Sequence, residues 1–339
     1  MFSPRAPFTA IFLCLCAFLF ALPTHAETQI TPTFKPVLVY FLANSERDNS
    51  FIEAATKGAQ RAKTELGVEY TEHRIPRDHN MYDALKTQAE AGYSPVIAIG
   101  HQNVLPIQNL AEQFPHTRFV VIDGLVPPIY PNVQSITFRD HEGAFLIGYI
   151  AAFSSKTHHI GFVGGMNVPL IRNFAFGYEQ GAKYADPQIR VDIDYIGITP
   201  KAWGQPERAY ELASKQFDSG ADIVFSAAGG STIGALKAAQ VNDRFAIGVD
   251  TNQNALYPGH VLTSLVKRVD IAVFNTLKSC SEDTWQPGIQ MLGIKEGALD
   301  YAVDEHNREL IGAELVEKVS VVKERIINGL INVDSYTVR

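Results

Sequence analysis

The segment between residues 36 and 73 reads PVLVYFL (36–42), ANSERDN (43–49), SFIEAATKGAQRAKTEL (50–66) and GVEYTEH (67–73). A short apolar run is followed by a polar loop, then by an amphipathic stretch with helical spacing, and then by a second short run. This succession predicts a β-strand, an α-helix and another strand, which together form the βαβ unit of a parallel sheet.

The same alternation continues along the chain. Further strands are predicted at residues 95–100, 118–123, 133–138, 159–163, 191–195, 223–226, 245–250 and 261–265, and helices at 82–91, 105–114, 141–153, 170–185, 205–219, 232–241, 269–279 and 309–328. The strands are rich in Val and Ile without strict alternation, as in parallel strands buried on both faces. The predicted fold class is α/β, with two similar lobes, parallel sheets and a ligand cleft between the lobes.

The composition agrees with a large folded protein. The chain has 339 residues, of which 46% are hydrophobic and 19% are charged. This length exceeds that of a typical single domain, and the composition excludes a disordered, collagen-like or disulfide-dense chain. The net charge of −7 argues against nucleic acid as a partner.

The N-terminus predicts export. Residues 1–26 combine an early positive charge, an apolar stretch at 10–22 and a small residue at the end, which is the pattern of a cleaved signal peptide. Cys14 and Cys16 lie inside the apolar stretch and each follows a leucine, so we expect release and not lipid anchoring. Cleavage leaves Cys280 without a disulfide partner. The mature protein is expected to be periplasmic, and a retained membrane anchor is the alternative.

Polar and aromatic residues cluster in the loops that follow predicted strands. In parallel α/β sheets, ligands bind at the carboxyl ends of the strands. The candidate ligand-binding residues in such loops are Asn44, Asp48, Phe51, Asp123, Trp203, Gly229, Asp250 and Lys267. No cofactor and no metal is expected.

The residue types in these loops suit a small solute with a planar ring and hydroxyl groups. Phe51 and Trp203 come from different halves and can enclose a ring between them. The carboxylate of Asp250 can accept hydrogen bonds from two neighbouring hydroxyls. Lys267 can pair with Asp250 and donate to the same ligand. Glycine at position 229 lets a ligand approach backbone N–H groups.

Simpler structural roles are open for several of these residues. Phe51 can be a core residue at the start of a helix. Asp123 can cap the turn after its strand, and Lys267 can be a surface lysine beside Arg268.

The sequence carries no strong catalytic signature. It contains none of the motifs GxSxG, HExxH and CxxC, and the neighbouring His158 and His159 are expected to form a solvated loop pair. We therefore expect a binding protein and not an enzyme. A hydrolase that acts on nucleosides through Asp48, Asp123 and Asp250 is the alternative.

Seven short motifs follow one another in a distinctive order. They are DNSF at 48–51, FVVID at 119–123, EGAFLIG at 142–148, GFVGGM at 161–166, FAFGYEQG at 174–181, IGVD at 247–250 and VLTSLVKRVD at 261–270. Together they resemble the basic membrane protein (Bmp, PnrA-like) family of ABC-transporter substrate-binding proteins, whose best-understood members bind purine nucleosides. The resemblance extends over about residues 35–332.

The resemblance implies a fold and its lobe boundaries. The fold is the type I periplasmic binding protein, in which two Rossmann-like lobes are joined by three crossings of the chain. Residues 36–137 and 263–282 would form the first lobe, and residues 138–262 and 283–330 the second.

The resemblance also implies a function. The protein would be a monomeric periplasmic solute-binding protein that delivers a purine nucleoside, nucleobase or similar aromatic heterocycle to an ABC permease at the plasma membrane. A ligand-sensing protein that signals to a membrane receptor is the alternative on the same fold.

Site residues follow from the same resemblance, with one departure. The base would stack between Phe51 and Trp203, Asp123 would bind the base edge, and Asp250 and Lys267 would hold the ribose hydroxyls, with backbone groups near Gly229. The departure is Leu42, where the nucleoside binders have an acidic residue. A lost base-edge acceptor favours a free base or another heterocycle over a guanosine-like nucleoside.

Overall fold

The computed structural model describes residues 1–2, 34–42, 50–76 and 79–337. Nearly all of the predicted signal peptide lies outside these ranges, as do Asn44 and Asp48. Among the described residues, no helix combines the length and the apolar character needed to cross a bilayer.

Strands and helices alternate through the described chain. The strands are β1 Val37–Phe41, β2 Thr71–Ile75, β3 Val96–Ile99, β4 Phe119–Ile122, β5 Val133–Phe138, β6 His159–Met166, β7 Arg190–Gly197, β8 Ile223–Ala227, β9 Phe245–Asp250, β10 Val261–Lys267, β11 Gly288–Leu292 and β12 Leu299–Tyr301. The helices are α1 Ser50–Leu66, α2 Met81–Glu90, α3 Val104–Ala111, α4 Asp140–Ser154, α5 Pro169–Ala185, α6 Pro206–Asp218, α7 Thr232–Val241, α8 Val269–Ser281, α9 Arg308–Ile311 and α10 Ala313–Ile327.

The strands form two sheets of the same topology. The first sheet has the order β11-β5-β4-β3-β1-β2, and the second has the order β12-β10-β9-β8-β6-β7. Every pairing is parallel except that of β12 with β10. In each half the first five strands follow the doubly wound order 2-1-3-4-5, so the two lobes repeat one Rossmann-like plan.

Helices cover both faces of each sheet, which explains the continuous apolar strands. In β1, Leu38 and Tyr40 pack with α1 and α8, whereas Val37 and Val39 pack with α2 and α3. The second sheet is covered by α4, α5 and α10 on one face and by α6 and α7 on the other. Strands buried on both faces need apolar residues at every position and not at alternate ones.

Three chain segments cross between the lobes side by side. They connect β5 to α4, β10 to α8 and β11 to β12. The backbone N–H of Arg139 donates to the carbonyl of Leu292, and that of Arg268 donates to the carbonyl of Ala298, each over 2.8 Å. The first and second crossings are therefore both hydrogen-bonded to the third, as in a hinge.

The strands revise the expected lobe boundaries. β10 lies in the second sheet, whereas the expected boundaries place residues 263–267 in the first lobe. β11 lies in the first sheet, whereas the expected boundaries place residues 283–330 in the second lobe. The last crossing thus follows Leu292, because β11 extends the first sheet alongside β5 before the chain returns.

The wall of the second lobe is fixed by a close helix contact. α4 crosses α5 where Gly148 faces the carbonyl of Tyr178 and Gly181 faces the carbonyl of Phe145. A Cβ atom at either glycine would collide with the opposite backbone. The small residues therefore let α4, which follows the hinge, hold α5 firmly against the second sheet.

Candidate functional site

A cavity of about 830 Å³ lies between the lobes, at the carboxyl ends of the parallel strands. Phe51, His101 and Asp123 line it from the first lobe, and Phe174, Trp203 and Asp250 are among the residues that line it from the second. This is the position at which doubly wound folds bind ligands, and the volume is in the range of small-molecule sites.

The described candidate residues lie together around this cavity. Phe51, Asp123, Trp203, Gly229, Asp250 and Lys267 all line it. Asn44 and Asp48 lie outside the described residues, so their part in the site stays a prediction.

Asp123 and Asp250 occupy equivalent positions in the two lobes. Asp123 directly follows β4 and Asp250 ends β9, and each of these is the fourth strand of its half. Both residues have left-handed backbone conformations, with φ of 64° and 68°. Aspartate adopts this conformation more readily than most residues. The repeated plan therefore brings one carboxylate from each lobe to the cleft.

Lys267 joins the lobes through a buried ion pair. Its Nζ lies 2.8 Å from Oδ1 of Asp123, across the cleft, and 3.1 Å from Oδ1 of Asp140, at the start of α4. The lysine is 1% exposed, which rules out a surface role. The expected pairing with Asp250 is wrong, because within the described residues the ion pairs of this ammonium are with Asp123 and Asp140.

Aromatic rings surround the same ammonium group. The Nζ of Lys267 lies 4.6 Å from the ring centroid of Phe138, 5.4 Å from that of Phe174 and 5.7 Å from that of Phe51. The negative faces of these rings stabilise a cation that has lost its water. Phe51 therefore faces the cleft and does not serve only as a core residue at the start of α1.

Burial shifts the ionisation of the charged groups. Desolvation raises the pKa of Asp140 to about 8 and that of Asp250 to about 6, although the charge of Lys267 opposes both shifts. Desolvation lowers the pKa of Lys267, but the nearby carboxylates, Asp123 first, outweigh it and raise that pKa above its usual value. The ammonium group of Lys267 therefore stays charged, and Asp140 is the carboxyl group that takes up a proton most readily.

The indole ring of Trp203 packs against two glycines of the second lobe. Its Cε3 lies 2.6 Å from where a Cβ atom of Gly165 would stand and 3.5 Å from the corresponding point at Gly229. The Ser231 hydroxyl donates to the carbonyl of Ala202 over 2.7 Å and so ties the tryptophan loop to the turn after β8. Any side chain at position 165 would displace the indole.

Two residues of the site were missed by sequence reasoning. His101 lines the cavity just after β3, and its ring contacts that of Trp203 across the cleft, with centroids 6.1 Å apart. Asp140 is completely buried beside Lys267. Both lie within two residues of a predicted strand end, so the rule that selected Asp123 would also have selected them.

The two neighbouring histidines, His158 and His159, lie outside the cavity and differ in their surroundings. His158 is exposed, as expected, but His159 is buried at the start of β6 and its Nε2 lies 2.9 Å from Asp192. The expected solvated pair is therefore wrong for His159. No group of three or more metal-ligating side chains occurs among the described residues.

Comparison with known proteins places the chain in a family. The family model described as "ABC transporter substrate-binding protein PnrA-like" (Bmp) matches residues 35–337. Basic membrane protein A of Borreliella burgdorferi is 34% identical over 297 residues, which cover 85% of this chain and 84% of that protein. An uncharacterized lipoprotein of Pyrococcus furiosus is 32% identical over 276 residues, covering 78% and 69% of the two chains.

The fold agrees with a solved structure of the same kind. The crystal structure of an ABC transporter solute-binding protein from Aeropyrum pernix superimposes with a TM-score of 0.80 and 25% identity, covering 89% of this chain and 94% of that one. The type I periplasmic binding protein fold is thereby confirmed. Family match, relatives and architecture agree, and the chain belongs to the Bmp family of PnrA-like ABC transporter substrate-binding proteins.

Proposed function

We propose that this protein binds a purine nucleoside, a nucleobase or a similar aromatic heterocycle between its lobes and delivers it to an ABC permease. The observation that carries the proposal is the combination, in one cavity, of aromatic rings from both lobes with carboxylates from both lobes. An aromatic solute gains from ring contacts, and its polar edges need fixed hydrogen-bond partners.

Each lobe supplies part of the proposed contact set. Phe51 and Trp203 stack on the ring from opposite lobes, and Asp123 accepts from the ring edge. Asp250 accepts from ribose hydroxyls, and the backbone at Gly229, which has a φ of 51°, approaches the sugar. Because these groups belong to different lobes, a ligand contacts them all only when the cleft is closed.

The charges around the cavity favour a solute without negative charge. Three carboxylates, of Asp123, Asp140 and Asp250, surround the buried ammonium of Lys267, which already has two ion pairs. An anionic ligand would have to compete with Asp123 for that ammonium. We therefore propose a neutral solute, bound without chemical conversion.

The protein would act outside the cytoplasmic membrane, where substrate-binding proteins of ABC importers work. Relatives in Pyrococcus are called lipoproteins. In this chain both N-terminal cysteines follow leucine inside the apolar stretch, which supports a cleaved and released periplasmic protein, and we propose that it acts as a monomer. Mass determination of the exported protein tests this, since a retained lipid would add the mass of its acyl chains.

Thermal-shift measurements on ligand-stripped protein test the solute class. The panel contains inosine, guanosine, adenosine, their free bases, monosaccharides and amino acids. We expect stabilisation by purine compounds alone, because a ligand that binds the folded state raises the melting temperature. A shift with a sugar or an amino acid and none with any purine compound would exclude the proposed solute.

A single substitution then separates nucleoside from nucleobase. Asp250→Asn removes a charged acceptor, which is worth about 1.5–3 kcal/mol, or roughly 10- to 100-fold in affinity. If Asp250 holds the ribose, inosine binding weakens by that factor while hypoxanthine binding changes little. The control is Asp243→Asn, an exposed aspartate in the same lobe that also has a positive φ.

A further inference from the structure

His101 is a partly buried polar side chain of the cleft to which the proposed contact set gives no role. It lies between β3 and α3 in the first lobe and lines the cavity beside Asp123. We infer that His101 is a specificity-determining residue whose imidazole hydrogen-bonds the polar edge of the bound ring. This inference rests on the proposed function and adds to it a residue that distinguishes between ring substituents.

The loop that carries His101 is fixed in place. Gly100 has a φ of 105°, which turns the chain sharply at the end of β3, and its N–H donates to the carbonyl of Ile122 in β4. The side-chain amide of Asn103 donates to the carbonyls of Ile99 and Gly100 over 3.0 and 2.8 Å, and this asparagine is completely buried. A side chain on such a loop meets a ligand in one defined position.

Contact across the cleft fixes the plane of the imidazole. The rings of His101 and Trp203 meet edge to face, with an interplanar angle of 71°. Trp203 itself packs against Gly165 and Gly229, so the indole that the histidine ring contacts is held in place by the second lobe. A ligand ring stacked on Trp203 would therefore lie next to the imidazole and present its edge to it.

The imidazole has hydrogen-bonding capacity to offer. Within the described part of the chain, neither ring nitrogen of His101 has a hydrogen-bond partner, in contrast to Asp123 and Lys267, which bond each other. Burial lowers the pKa of His101, Asp123 acts in the opposite direction, and Lys267 lowers it further. A neutral imidazole has one N–H donor and one nitrogen acceptor, and the tautomer decides which of the two faces the ligand, so the ring can pair with either a donor or an acceptor on the ring edge.

Four ligands that differ only in their ring substituents test the inference. Calorimetric titration compares inosine, guanosine and adenosine with purine riboside, which lacks all their ring substituents. We expect the wild-type protein to bind the best of the three at least about tenfold more tightly than purine riboside. In His101→Phe, which keeps an aromatic edge against Trp203, we expect this ratio to fall to about twofold, with the affinity for purine riboside little changed.

Two further variants control the result. His101→Gln, which retains a donor and an acceptor, should recover part of the ratio. His116→Phe, at an exposed histidine of the same lobe, should leave it unchanged. If His101→Phe does not fold, NMR of the wild-type protein replaces it. The measurement compares the ring-nitrogen chemical shifts of His101 with and without the best of the three ligands. Shifts that do not change on binding overturn the inference.

The outcomes separate this inference from the proposed function. A ratio retained in His101→Phe, or a wild-type protein that binds all four ligands equally, overturns the role of His101 and leaves a purine-binding protein. An equal loss of affinity for all four ligands in His101→Phe assigns the histidine to packing only and also overturns the inference. A wild-type protein that binds neither these four nucleosides nor any free purine base overturns both.

Discussion

Replacing Lys267 by methionine should destabilise the ligand-free protein strongly at alkaline pH and weakly at acidic pH. The ammonium is buried, and it lies 2.8 Å from Asp123 and 3.1 Å from Asp140. Methionine fills a similar volume but leaves the carboxylates buried without a counter-charge. Removal of one member of a buried ion pair costs about 3–5 kcal/mol.

The pH dependence follows from the state of the carboxylates. Burial already raises the pKa of Asp140 to about 8 and that of Asp250 to about 6, and loss of the ammonium raises both further. At pH 8.5 the variant must either bury negative charge or take up protons, so we expect the full cost of about 3–5 kcal/mol. At pH 5 the carboxyl groups of Asp140 and Asp250 are largely protonated, and we expect a smaller cost, about 1–2 kcal/mol, mainly from lost hydrogen bonds.

Urea denaturation at the two pH values measures this difference. Lys278→Met, at an exposed lysine of α8, is the control and should change the free energy of unfolding by no more than about 0.5 kcal/mol. Adding Asp123→Asn to Lys267→Met should restore part of the loss at pH 8.5, because it removes one of the unpaired charges. An equal loss at both pH values, or no restoration by the second substitution, would refute the electrostatic explanation.

Three further predictions concern single residues. The pKa of Asp250 is raised from 3.8 to about 6 in the folded state, so the folded protein binds more protons than the unfolded chain, and the free energy of unfolding should fall by about 2–2.5 kcal/mol as the pH rises from 4 to 7. Asp250→Asn should remove this part of the decline in urea titrations. Gly165→Ala should displace Trp203, lower the free energy of unfolding by about 1–3 kcal/mol and weaken ligand binding. In the control Gly197→Ala the new methyl group lies 3.6 Å from its neighbour, so stability and binding should stay unchanged. Thermal melts and ligand titrations of both variants measure these effects. The change in tryptophan fluorescence on ligand binding should vanish in Trp203→Phe and persist in Trp285→Phe, since the second tryptophan packs in the core of the first lobe; persistence in the former variant would place the ligand elsewhere.

Local sequence signals predicted most of the regular elements. The predicted ranges 50–66, 133–138, 232–241 and 245–250 agree with α1, β5, α7 and β9. These elements have clear boundaries, because apolar residues at a regular spacing end at polar or glycine-rich loops. The α/β class and the doubled parallel plan followed from the same alternation.

The elements that were missed depend on distant parts of the chain. β11 has three exposed residues among its five, and β12 is three residues long. Neither carries a periodic apolar pattern, and each exists because it pairs with a sheet edge, β11 with β5 and β12 with β10. The lobe boundaries near 263 and 283 failed for the same reason, since they depend on which sheet a late strand joins.

The sequence predicted where the site residues lie, but not which residues they contact. Strand-end loops selected Asp123, Asp250 and Trp203 because doubly wound sheets bring those loops together. The ion pairs of Lys267 were not predictable, because Asp140 reaches it only through the hinge that folds α4 back beside β10. Charge partners at such a distance in sequence are set by the packing of the lobes.

Calorimetric titration of the ligand-stripped mature protein with purine nucleosides and nucleobases tests the central claim most directly. The proposed cleft predicts one binding site per chain for at least one of these compounds, with a Kd that Trp203→Ala raises at least tenfold and Trp285→Ala leaves within about twofold. The absence of binding by every purine compound, in a preparation that binds a solute without an aromatic ring, would contradict it.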